Sequence, residues 1–133
     1  MAMRILIVDD NFVTRKMLSR LLEPFGICDV AENGQVALEA FQLALYDQQP
    51  YKLVCLDVRM PGLDGTQVLE SLRNIEQRHG ISFGPEASKI LMVTGVDDRQ
   101  TVFESFRKNC DGYVMKPVSR DQITEQLRTL GLL

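Results

Sequence analysis

A chain of 133 residues with 15 Lys plus Arg against 18 Asp plus Glu, a formal net charge of −3, is sized for one ordinary domain and excludes a basic nucleic-acid-binding surface. Hydrophobic residues at 45% and charged residues at 25% exclude a disordered chain. No apolar run approaches the roughly 20 residues of a membrane span, and no secretory pattern follows Met1-Ala2-Met3-Arg4, so a cytoplasmic setting is expected.

The first apolar run, Ile5-Leu6-Ile7-Val8, ends in Asp9-Asp10. Met17, Leu18, Leu21 and Leu22 then form the stripe of a first helix. Cys28 to Ala31 is a weaker strand candidate, followed by a second helical stripe of Val36, Leu38, Ala40, Phe41 and Leu45. Leu53-Val54-Cys55-Leu56 is a second strong run and ends in Asp57. Val68, Leu69 and Leu72 mark a third helix, with Thr66 or Asp64 as its cap. His79 to Ser88 is irregular, too short to divide domains, and is expected to be one loop. Ile90-Leu91-Met92-Val93 leads into Thr94-Gly95. Val102, Phe103 and Phe106 mark a fourth helix, and Gly112 to Met115 a last weak strand before Lys116-Pro117. Ile123, Leu127 and Leu130 mark the final helix, Ser119 to Leu130, with Ser119 as N-cap ahead of Asp121.

The strong runs lack period-2 alternation, as strands covered on both faces do. Five strands alternating with five helices predict an open parallel α/β sheet with right-handed crossovers, in a single domain over residues 1–133. Every apolar stripe is assigned to core. Periodicity does not fix the strand order, but ligands of such sheets bind beyond the carboxyl ends of the strands. Four of the five predicted strand ends carry an acid, a hydroxyl or an amine there. Clustered carboxylates repel one another unless a cation neutralises them. Oxygen ligands of this kind suit Mg²⁺ or Mn²⁺.

Val8-Asp9-Asp10-Asn11, the segment Leu56-Asp57-Val58-Arg59-Met60-Pro61-Gly62-Leu63-Asp64-Gly65, Met92-Val93-Thr94-Gly95 and Asp111-Gly112-Tyr113-Val114-Met115-Lys116-Pro117 occur in this order. Together they resemble the receiver domain of two-component response regulators, over essentially the whole chain. The resemblance implies a flavodoxin-like, doubly wound five-stranded parallel sheet of order 2-1-3-4-5 with five helices. It implies that Asp57 is the phosphoacceptor, attacking the phosphorus of a kinase phosphohistidine to give an acyl phosphate. Asp10 and Asp57 would bind Mg²⁺ directly, Asp9 through a water, and Arg59 through its backbone carbonyl. Lys116 would pair with a phosphoryl oxygen, and the Lys116-Pro117 bond would be cis. Thr94 and Tyr113 would be the switch pair, the hydroxyl moving to the phosphoryl group and the ring turning inward. Arg59, Gly95 and Val96 would line the access route to the phosphoryl group, a long cation and an apolar side chain there slowing attack by water.

The implied role is a phospho-accepting module of a two-component or phosphorelay system, either stand-alone or part of a larger hybrid kinase or response regulator. Its partners would be a sensor histidine kinase or phosphotransfer protein and an unidentified downstream target, met on the region of the fourth helix, fifth strand and fifth helix. Phe103, Phe106, Tyr113 and Gln122 lie near that region, some of the aromatics being expected in the core. No direct DNA binding and no membrane contact are expected, with a monomer or a phosphorylation-linked homodimer. The full set Asp9, Asp10, Asp57, Thr94 and Lys116 argues against a phospho-independent interaction module. A hydrolase with an aspartyl nucleophile would want a second acid two residues on, where this chain has Arg59. A flavin module would want a Ser/Thr-rich phosphate loop after the first strand, where acids stand.

Cys28, Cys55 and Cys110 are too widely spaced for a metal set, and Cys55 sits inside an apolar run as a small hydrophobe. His79 is expected at the end of the third helix as a C-terminal cation. Without Asp9, Asp10 and Asp57 the chain has 15 acids against 15 bases, so the net charge of −3 matches the predicted site.

Overall fold

The computed structural model describes residues 2–81, 84–95 and 99–133, with only the backbone at 99, 101 and 102. The apolar runs form β1 (Met3–Val8), β2 (Gly26–Ala31), β3 (Leu53–Asp57), β4 (Lys89–Thr94) and β5 (Gly112–Met115). Between and after them lie α1 (Phe12–Leu22), α2 (Gly34–Tyr46), α3 (Gly65–Arg78), α4 (Arg99–Arg107) and α5 (Arg120–Thr129). All neighbouring strands are parallel, in the order β2-β1-β3-β4-β5 that the resemblance implies.

Alternation along each strand sends side chains to two cores, one on each face of the sheet. Ile5 and Ile7 of β1 pack with Leu18 and Leu22 of α1 and Ile123 and Leu127 of α5. Leu6 and Val8 pack with Ala37 and Phe41 of α2 and Val68 and Leu72 of α3. The central strand β3 is buried at all five positions, which explains why its sequence shows no polar alternation.

Side-chain caps set the helix starts. Asn11 and Asn33 accept backbone N–H bonds from Thr14 and Val36. Asp64, not Thr66, caps α3; it forms a capping box with Gln67, while the Thr66 hydroxyl donates to it at 2.7 Å. Ser119 forms the same box with Gln122 at α5. His79 is the C-cap residue of α3, as its position predicts.

The assignment of every stripe to core is too generous. Met17 is 47% exposed because Leu18 and Leu22, one turn apart, hold the buried line of α1 and Met17 lies beside it. Val36 is likewise exposed at the start of α2. On α4, Phe103 is 62% and Phe106 44% exposed, and Tyr113 of β5 is 41% exposed, so none of these three aromatics is core. Helix α4 rests on α3 and β4 near the margin of the sheet, and its outer side faces solvent.

A buried ionic cluster closes the amino ends of β4 and β5. Arg73 of α3 donates from Nη1 to Glu76 Oε1 (2.7 Å) and Ser88 O (2.9 Å). Its Nε and Nη2 donate to Asn109 O (3.0 and 2.8 Å), and Nη2 also to Asp111 Oδ2 (2.7 Å). Glu76 Oε2 accepts the Ser88 N–H (2.8 Å), and Asp111 Oδ2 the Ile90 N–H (2.8 Å). The Ser88 hydroxyl donates to Tyr51 O. This cluster anchors Ser88 just ahead of β4.

Candidate functional site

The strand register brings the chemistry to one edge. Val8 lies opposite Leu56, Asp57 opposite Val93, and Thr94 opposite Met115. The residues at and just after these ends are Asp9, Asp57, Thr94 and Lys116. Two backbone bonds hold the rims together, Val58 N–H to Val93 O (3.0 Å) and Lys116 N–H to Thr94 O (2.7 Å). The Lys116-Pro117 peptide is cis, as the resemblance implies. Gly65 packs against the end of β3 so closely that a Cβ there would lie 2.3 Å from Asp57 O. Only glycine permits that approach, which seats α3 directly behind the Asp57 loop.

One carboxylate oxygen from each of Asp9, Asp10 and Asp57 falls within 4.8 Å of the others. Asp9 is fully buried and Asp57 is 4% exposed, whereas Asp10 is exposed to solvent. Asp9 Oδ1 accepts the Asn11 N–H at 2.8 Å. Asp9 Oδ2 lies 3.5 Å from Lys116 Nζ, within ion-pair reach, yet it is buried and accepts no hydrogen bond. Asp57 Oδ1 receives two long contacts at 3.4 Å, from Lys116 Nζ and from the Arg59 N–H.

Burial, reinforced by the charge of Asp9, pushes the Asp57 carboxyl up to about 6 from an ordinary 3.8, against the opposing pull of Lys116 and the Arg59 N–H. One lysine therefore does not neutralise the group. Three clustered carboxylates, one of them with an unpartnered buried oxygen, form an all-oxygen donor set that fits Mg²⁺.

The remaining expected site residues are arranged as follows. Thr94 is buried at the end of β4, its hydroxyl donating to Gly95 O at 3.1 Å. The Arg59 side chain is exposed two residues past Asp57, and Gly95 is half-buried beside Thr94. Val96 lies outside the described residues. Tyr113 is packed edge-on against Phe106 with ring centroids 5.9 Å apart. Among the three cysteines, Cys55 and Cys110 are buried and Cys28 half-buried, all free. No described helix is long and apolar enough to cross a membrane.

Comparison with known proteins agrees with this arrangement. The chain is 34% identical over 129 residues to the sensor histidine kinase GacS of Pseudomonas protegens, covering 93% of this chain and 13% of that kinase. The chain thus spans a small part of that relative's length. It is 27% identical over 128 residues to the chemotaxis protein CheY of Halobacterium salinarum, covering 96% of this chain and 95% of that protein. The receiver domain of the histidine kinase CKI1 from Arabidopsis thaliana, solved with Mg²⁺ and BeF3⁻, superposes with a TM-score of 0.79 at 24% identity, covering 95% of this chain and 90% of that one. The family model for the response regulator receiver domain matches residues 5–128, the stretch from β1 to the last turn of α5, and the chain belongs to that family of two-component signalling domains.

Proposed function

We propose that Asp57 accepts a phosphoryl group from the phosphohistidine of a sensor kinase or phosphotransfer protein. A carboxylate oxygen of Asp57 forms a bond to phosphorus as the phosphorus–nitrogen bond breaks, and the electron pair stays on the imidazole. The observation that carries this reading is the gathering of Asp9, Asp10 and Asp57 within 4.8 Å, with Lys116 Nζ 3.4 Å from Asp57. Asp9, Asp10, Asp57 and the Arg59 carbonyl would hold Mg²⁺, which when bound neutralises charge on the phosphoryl oxygens. Mn²⁺ has the same oxygen preference.

Each residue of the chain has a separable task. Lys116 pairs with a phosphoryl oxygen, and its charge also keeps Asp57 more ionised than burial alone would allow. Thr94, now bonded to Gly95, turns its hydroxyl to the phosphoryl group. Tyr113 leaves its exposed position and turns inward, which changes the surface formed by α4, β5 and α5 that meets a target. Arg59 and Val96 hinder water at the phosphoryl group, so replacing them with Asn and Glu speeds its loss. The protein acts in the cytoplasm, without direct DNA binding, as a monomer or as a phosphorylation-linked homodimer.

Incubation with acetyl phosphate tests the reading by intact mass. One phosphoryl group is expected with Mg²⁺, and none with a chelator or in Asp57→Asn. Labelling of that variant, or labelling without metal, overturns it.

A further inference from the structure

The edge strand β2 is left open on its outer side and flanked by two unlike grooves. Its partner β1 uses alternate residues of β2, as a parallel ladder does. Asp9 N–H bonds to Ala31 O, so Ile27, Asp29 and Ala31 face β1. Cys28 and Val30 consequently turn their N–H and C=O groups outward. Natural edges are commonly blunted by lysine, proline or a bulge. This one pairs without a break over six positions, carries no lysine or proline, and exposes Ile27 (59%) and Val30 (52%).

The two grooves differ in charge. On one side a groove of about 510 Å³ runs between β2 and one face of α1, where Arg15, Lys16 and Arg20 outnumber Glu23. On the other side a groove of about 520 Å³ runs between β2 and α2, with Ala40, Leu43 and Ala44 along it. Asp29 there is already held by Arg4 (2.9 Å) and Tyr51 (2.7 Å). A strand laid against β2 sends alternate side chains to opposite faces, one set into each groove.

We propose that β2 binds an extended partner segment in which acidic and aliphatic residues alternate, added as a sixth strand. The acids meet Lys16 and Arg20, the aliphatic side chains lie on Leu43 and Ala40, and the backbone bonds to Cys28 and Val30. A second copy of this chain is disfavoured as the occupant. Two β2 edges paired about a twofold axis bring α1 beside α1, setting Lys16 and Arg20 against like charges.

The probe is the peptide acetyl-Glu-Val-Glu-Val-Glu-Val-Glu-amide, titrated into the ¹⁵N-labelled protein. Free, the Cys28 and Val30 amides exchange with solvent faster than those of Ile27, Asp29 and Ala31. Saturating peptide is expected to shift the Cys28 and Val30 signals and slow their exchange at least tenfold. The double variant Lys16→Glu/Arg20→Glu, both side chains being exposed, is expected to weaken binding at least tenfold. So is N-methylation of the peptide on one edge. No shift at Cys28 and Val30 at millimolar peptide overturns the proposal, as does equal binding of a peptide with Lys in place of Glu. A concentration-dependent dimer that protects these two amides assigns the edge to a second copy and also overturns it.

Discussion

At the amino ends of β4 and β5, Arg73 bonds through Nε, Nη1 and Nη2 to Glu76, Asp111 and two backbone carbonyls. At the carboxyl ends of β1 and β3, among the described residues, Asp9 Oδ2 accepts no hydrogen bond and the contacts to Asp57 Oδ1 are long, at 3.4 Å. Arg73 and Glu76 in the first and Asp9 and Asp57 in the second are buried, and taking such charge out of water costs several kcal/mol per ion. The first offsets that cost within the protein. The second does not, and its Asp57 carboxyl is pushed up to about 6. The complete cluster ties α3 to the residues that lead into β4 and β5. An incomplete one, open to solvent at Asp10 and Lys116, is where the proposed cation and phosphoryl group would add the missing partners.

The largest expected effect is at the complete cluster. Arg73→Ala leaves Glu76 and Asp111 as poorly paired buried carboxylates and is expected to cost about 3–5 kcal/mol of unfolding free energy in urea melts. A loss below about 1 kcal/mol would break the contrast between the two clusters.

The incomplete cluster should respond with the opposite sign. Asp57 has a folded value near 6 and an unfolded one of 3.8, so between them the folded state binds the extra proton. Unfolding free energy of the metal-free protein therefore falls as pH rises from about 4 to about 6, by up to about 3 kcal/mol, and this component is flat above. Asp57→Asn removes that slope and is more stable than the parent at pH 7 in chelator, as urea melts across this range will read. A slope that persists in the variant assigns the titration to another group.

Metal comes next in size. A cation bound only by the folded state at about 100 times its dissociation constant adds about 2.7 kcal/mol. Mg²⁺ is expected to raise the melting temperature of the parent, and Asp10→Asn, at an exposed carboxylate, to diminish the rise. An equal rise in both proteins would take Asp10 out of the ligand set.

The two clusters were not equally legible in the sequence. Asp9, Asp57, Thr94 and Lys116 follow apolar runs directly, so strand patterning alone carried them to one edge, and the resemblance supplied their roles. Arg73, Glu76, Ser88 and Asp111 sit in mid-helix and in loops. Their bonds join residues up to 38 positions apart, and no local pattern encodes such a pairing. The spacing Arg73 to Glu76 was the one visible signal, and it also describes any surface helix pair. The exposed Phe103 and Phe106 failed for a related reason. An amphipathic stripe states which face is apolar, whereas exposure depends on whether another element covers it, and α4 lies at the margin.

Asp29, a carboxylate outside both clusters, carries the smallest expected effect. Burial raises its carboxyl, but hydrogen bonds from Tyr51 and Arg4, together with the Arg4 charge, outweigh that and lower it below 3.8. Its linkage therefore runs opposite to that of Asp57. The contribution of Asp29 is present above its unfolded value near 3.8 and is lost as pH falls through its lower folded value. The pair is 27% and 46% exposed at Arg4 and Asp29, so solvent screens it and Asp29→Asn is expected to cost less than about 1 kcal/mol at pH 7. In melts from pH 2 to 8, Asp57→Asn should flatten the limb between about pH 4 and 6, and Asp29→Asn only the acid limb below about 4. If both variants alter the same limb, satisfaction by partners is not what separates Asp57 from Asp29.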